Sequence, residues 1–68
     1  MEVDGKKLKS LREDRVLSQR DLARMAGLTQ RTVWRLENGF ENAHPQTIRA
    51  IAGVFGVQPK ELLKKGDA

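Results

Sequence analysis

The chain has 68 residues, a net charge of +4, and 38% hydrophobic against 32% charged residues. That allows one domain around one small core, and the lack of cysteine removes disulfides and thiolate zinc sites as aids to its stability. No apolar run approaches the roughly 20 residues of a membrane span. Met1 to Ser10 lacks the apolar stretch of a secretion signal, so the expected location is the cytoplasm. A pI near 10.0 favours a polyanionic partner such as nucleic acid.

Alternating β-branched runs are missing, and the apolar spacing is helical throughout, punctuated by caps and glycines. A first helix is expected from Asp4 or Gly5 to Arg15, with Leu8 and Leu11 on one face and Lys6, Lys7, Lys9 and Arg12 mostly elsewhere. Ser18 is a good N-cap for a second helix, and Asp21 three residues later completes a weaker capping box. Leu22, Ala23 and Ala26 form its apolar stripe, and Gly27 stands where a left-handed C-cap is wanted. Thr29 caps a third helix with Val33 and Leu36 inward, so that Gln30, Arg31, Trp34 and Arg35 point largely outward. Gly39 closes it, and a polar loop runs from Phe40 to His44.

Pro45 suits the first turn of a fourth helix, whose buried face is Ile48, Ile51, Ala52 and Phe55. Gly53 lies inside that helix at a cost of about 1 kcal/mol relative to alanine, and Gly56 ends it. Pro59 begins a fifth, with Leu62 and Leu63 able to cover the core. The expectation is an all-α, compact bundle of five short helices without a sheet, forming one domain over 1–68 with its core at about 5–63.

Two helices meeting at a glycine turn suit the major groove of DNA. The first crosses the backbone, its N-terminal amides free to hold a phosphate, and the second presents its N-terminal residues to base edges. Ser18 and Gln19 stand at the tip of the first, with Arg20 exposed beside them, and Thr29 caps the tip of the second; these four are candidate phosphate contacts. Gln30 can make a bidentate contact to adenine, and Arg31 or Arg35 the matching contact to guanine, each such pair contributing roughly 1–3 kcal/mol of discrimination. Either arginine can equally grip a phosphate. Trp34, the single tryptophan, either packs on the DNA, against sugar-phosphate or a thymine methyl, or leans over the adjacent core.

The motifs Ser18-Gln19-x-x-Leu22-Ala23, Gly27-Leu28-Thr29-Gln30, Val33 and Leu36-Glu37-Asn38-Gly39 resemble the helix-turn-helix of the phage repressor and Cro-type family, also called the xenobiotic response element family. The likeness extends to Leu8-Lys9-Ser10-Leu11-Arg12, Thr47-Ile48, Ile51-Ala52 and Gly56-Val57, covering roughly residues 7–63. It implies a lambda-repressor-like fold and a sequence-specific transcriptional regulator, a repressor by expectation, binding double-stranded DNA as a homodimer on a two-fold operator. It further implies that Gln19, Gln30, Arg31 and Arg35 touch DNA, that Asn38 holds a phosphate, that Arg12 pairs with Glu37, and that dimerisation uses the end of the chain near Pro59, Lys60 and Leu63.

Two departures from the family pattern stand out. Val16 occupies a place where the family usually has glycine, and because a β-branched residue dislikes positive φ, that turn is expected to be built differently here. The loop after Gly39, commonly basic, reads Phe40-Glu41-Asn42-Ala43-His44. His44 reads as a helix-start residue, with no second ligand nearby for a metal; Lys6, Lys7, Lys9, Lys64 and Lys65 read as solvated charge. No nucleophile–base pair, paired carboxylates in a cleft, phosphate loop or metal cluster is present, so neither a cofactor nor an enzymatic activity is expected. The rival readings are a module that binds a second protein, as an antitoxin or antirepressor does, and the DNA-binding part of a longer sensor-regulator.

Overall fold

In a computed structural model that describes residues 1–40 and 42–64, the chain forms α1 (Gly5–Asp14), α2 (Gln19–Ala26), α3 (Gln30–Glu37) and α4 (Pro45–Phe55), then a 3-10 turn over Pro59–Leu62. The expected fifth helix is therefore corrected to that single turn. Leu63 is already extended, at φ −87° and ψ 149°, so the chain leaves the turn before i→i−4 bonds can form, and 3-10 geometry is the form such short pieces take. Among the described residues there is no strand, only an isolated antiparallel bridge between Val3 and Leu63. Lys65, read above as solvated charge, lies outside the described residues.

Each helix begins as its local sequence demands. Asp4 accepts from the Lys7 amide at 3.2 Å. Ser18 and Asp21 form a reciprocal capping box, the Asp21 amide donating to Ser18 Oγ at 3.0 Å and the Ser18 amide to Asp21 Oδ2 at 3.1 Å. Hydrogen bonding to the carboxyl by the Ser18 amide, and next by the Ser18 side chain, holds Asp21 below its ordinary pKa. Thr29 caps α3 by accepting from the Thr32 amide at 3.1 Å. Pro45 opens α4 with His44 as its N-cap, whose side chain makes no capping bond.

The four helices also end alike. A residue in the left-handed region follows each one, Val16 (φ 54°), Gly27 (73°), Gly39 (77°) and Gly56 (68°). The next amide then donates back to a carbonyl five residues earlier: Leu17 to Arg12 (3.1 Å), Leu28 to Ala23 (2.7 Å), Phe40 to Arg35 (2.9 Å) and Val57 to Ala52 (3.1 Å). This is the Schellman closure, which places the apolar residue after the left-handed one against the end of its own helix. Val16 thus overturns the expectation of a differently built turn. The glycine pattern is kept with a valine in it, and α1 ends at Asp14 with Arg15 as its C-cap.

The core is built from Leu8, Leu22, Val33, Leu36, Ile48, Ile51 and Leu62, all fully buried, with Leu11, Leu17, Leu28, Val57 and Leu63 packed around them. It also reaches outside the expected span of 5–63, because Val3 is buried as well, and so is Ala43 of the loop read as polar. The extended segment before α1 explains both. Met1 exchanges two backbone bonds with Ala43, each 2.9 Å, the Asp4 amide donates to Leu62 at 2.8 Å, and the Lys64 amide to Glu2 at 3.1 Å. At the other end of α1, Arg15 donates to the Phe55 carbonyl at 2.7 Å. Its guanidinium lies 5.2 Å from the Phe55 ring, placing a cation at the negative end of α4.

Candidate nucleic-acid interface

The pose of α3 is fixed from below by one buried ion pair. Arg12 donates from Nε to Glu37 Oε2 at 2.6 Å, from one terminal nitrogen to Glu37 Oε1 at 3.2 Å, and from the other to the Leu17 carbonyl at 2.7 Å. Gln19 Nε2 adds a bond to Glu37 Oε1 at 3.1 Å. One guanidinium and one carboxylate therefore join α1, the turn after it, the tip of α2 and the end of α3. The hydrogen bond to Glu37 raises the Arg12 pKa further, so this cation holds its proton at any pH the protein meets. A bidentate arginine–carboxylate pair is also directional, which suits it to setting an angle between helices. The Glu37 side chain is only 2% exposed, and it is the sole acidic residue of α3.

At the C-terminal end of α3, α1 comes close enough that a Cβ on Gly5 would meet the carbonyls of Leu36, at 2.8 Å, and Glu37. Glycine is required there by the approach of two backbones, a constraint that the sequence reading missed.

With its inner face anchored, α3 turns Gln30, Arg31 and Trp34 to solvent, with Arg35 partly exposed on the same side. One turn of helix separates Gln30 from Trp34 and Arg31 from Arg35, so the four form a single face. The candidate phosphate contacts gather at the helix tips. Ser18, Arg20 and Thr29 are exposed. The hydroxyls of Ser18 and Thr29 already each accept one capping amide, while helix geometry leaves the other first-turn amides without intrahelical partners. Gln19 is half-buried, its amide group committed to Glu37. Asn38 is exposed at the far end, with Nδ2 donating to the Trp34 carbonyl at 2.8 Å.

Trp34 stacks on Phe40, with ring centroids 5.5 Å apart and planes 13° from parallel, and the pair stays 47% and 64% exposed. Phe40 was read from sequence only as part of a loop. The signal that finds it is the closure of α3: Gly39 in the left-handed region brings the following side chain onto the last turns of the helix, where Trp34 stands. Arg31, Trp34, Arg35 and Phe40 border an open cleft of about 300 Å³. The dimer candidates Pro59, Lys60 and Leu63 line a separate groove of about 320 Å³ together with Met1, Pro45 and Ile48, on the side of the molecule formed by α4 and the chain end. No group of histidine, cysteine or carboxylate side chains able to hold a metal occurs among the described residues, and no helix there is long and apolar enough to cross a membrane.

Comparison with known proteins places this arrangement. A family model described as "Helix-turn-helix domain" matches residues 5–64. The crystal structure of the restriction-modification controller protein C.AhdI from Aeromonas hydrophila is similar at TM-score 0.82 and 34% identity, over 87% of this chain and 89% of that one. The P22 c2 repressor, solved in complex with a synthetic operator, matches in fold at TM-score 0.86 and 21% identity, over 98% of this chain and 100% of that one. Among curated relatives, an HTH-type transcriptional regulatory protein of Methanothermobacter thermautotrophicus is 32% identical over 56 residues. That match takes in 82% of this chain but only 18% of the relative's length.

Proposed function

The chain belongs to the helix-turn-helix family of Cro/C1 type, a family of DNA-binding transcriptional regulators, and from that premise we propose that α3 enters the major groove of an operator as half of a homodimeric repressor. One observation carries the reading. Gln30, Arg31 and Arg35 share a single outward face of a helix whose one carboxylate is buried against Arg12. Among the residues of α3 itself, that face carries hydrogen-bond donors and no carboxylate.

In this reading Gln30 meets an adenine edge and Arg31 or Arg35 a guanine edge, with Trp34 beside them. Ser18, Gln19, Arg20, Thr29 and Asn38 face the sugar-phosphate backbone, the tips of α2 and α3 adding their amides and helix dipoles. Gln19 carries two roles, touching DNA while its bond to Glu37 fixes where α3 sits. Pro59, Lys60 and Leu63 form the dimer contact, which sets half-sites about one DNA turn apart. The 68 residues act as one domain, in the cytoplasm, without cofactor or catalysis, whether alone or as part of a longer regulator.

Gln30→Ala tests the base-reading role. Its expected effect is a loss of roughly 10-fold or more in affinity for the cognate site, the worth of one bidentate base contact, with little loss on random DNA. Equal losses on both would reduce Gln30 to a residue of the helix start.

A further inference from the structure

Of the four apolar residues that follow a left-handed helix closure, Leu17, Leu28 and Val57 pack against the core, whereas Phe40 lies on the outer face of α3. Its hydrogen bond to Arg35 is like the others, but its ring rests on Trp34 and the pair remains largely in water. Trp34 and Phe40 are two of the chain's three Trp and Phe residues, and water-exposed stacked rings of this size stabilise a small domain far less than the same rings inside it would. Their place points to a ligand. Trp34 stands one turn beyond Gln30 on the same helix face, Phe40 stacks on it from past the helix end, and Arg31 and Arg35 border the same cleft.

An apolar plate with a guanidinium rim matches a surface that is apolar at one spot and anionic around it. The major groove offers one apolar group on its base edges, the thymine 5-methyl, with phosphates on either side. We propose that Trp34 and Phe40 together form a methyl-reading surface, so that each operator half-site carries a thymine facing the pair and Phe40 is a specificity-determining residue from outside the reading helix. This rests on the major-groove reading above and adds to it a base class and a residue. Phe40 acts both by direct contact and by holding the indole flat against α3, since the stack removes the rotamers in which Trp34 would swing to solvent.

The test starts from the operator selected from a random duplex pool. Each thymine of that operator is replaced in turn by deoxyuridine, which deletes only the methyl group, and affinity is measured for the wild type, Phe40→Ala and Phe40→Leu. The expected result is one thymine in each half-site where the wild type loses about fourfold in affinity, the worth of one buried methyl. That sensitivity falls to within twofold in Phe40→Ala and is partly kept in Phe40→Leu, while all three proteins bind random DNA alike. Uniform indifference to deoxyuridine would overturn the methyl reading and leave the helix-turn-helix reading standing. A deoxyuridine effect unchanged in Phe40→Ala would overturn the part given to Phe40. A pool that yields no enriched sequence would overturn both.

Discussion

The turn after α1 and the turn after α2 reverse the chain by the same backbone route, through Val16 at φ 54° and Gly27 at φ 73°, each followed by a leucine whose amide bonds back five residues. Glycine enters the left-handed region freely, whereas an L-residue meets its own Cβ there at a cost of about 1–2 kcal/mol. Valine's branched Cβ worsens the clash, and its side chain, 90% exposed, gains no packing in return. What holds the first turn is tertiary. Arg12, while paired with Glu37, also donates to the Leu17 carbonyl, and Leu17 packs against the core. The turn between the two helices of the DNA-binding motif is thus encoded locally, by a glycine that needs no help, and the turn that joins this motif to α1 is imposed from outside by a cation.

Breaking the external tie should have the largest effect. Arg12→Ala leaves the Glu37 carboxylate buried without its partner and the Leu17 carbonyl without its donor, a loss of about 3–5 kcal/mol. For a domain this small that lowers the melting temperature by roughly 10 °C or more. Base preference, measured at low temperature on the folded fraction, should be unchanged. An unaltered melting temperature would show that the ion pair does not hold α1 to the end of α3.

Gly27→Ala moves the strain into the locally encoded turn and should cost about 1–2 kcal/mol in chemical denaturation, since a Cβ there meets no neighbour and conformational strain is the whole effect. The smallest change is the reverse one. Val16→Gly relieves the strain while loosening the unfolded chain, for a net gain of about 0.5–1 kcal/mol. If that variant were instead less stable, valine would be contributing something at this turn that its exposure does not reveal.

The same contrast explains how much could be read before the structure was known. Caps at Ser18 and Thr29, the helix start at Pro45, stops at Gly27, Gly39 and Gly56, and inward positions such as Leu22, Val33, Leu36, Ile48 and Ile51 follow from spacing over a few residues, where local propensity and burial agree. What stayed hidden depends on partners distant in sequence. Val3 and Ala43 are buried because the segment before α1 meets the loop after α3 on one side and Leu62 to Lys64 on the other. Gly5 matters because α3 passes over it, and Val16 takes an unfavourable φ in a turn tied down by Arg12. The final turn looked like a helix because Pro59 and Leu62 fit either geometry, and only the extended Leu63 decides it. In the interface, the outward face of α3 was legible from the inward one. Phe40 was not, because its partner is set by a helix closure and not by helical spacing.

The most direct test of the central claim, that the outer face of α3 reads DNA, is to equilibrate the protein with a random duplex pool across a salt series and sequence the bound fraction. If α3 reads DNA, one two-fold related site is enriched, with affinity falling steeply and log-linearly as salt rises, as counterions are released from the contacted phosphates. Weak binding with no enriched sequence at any salt concentration would contradict that claim.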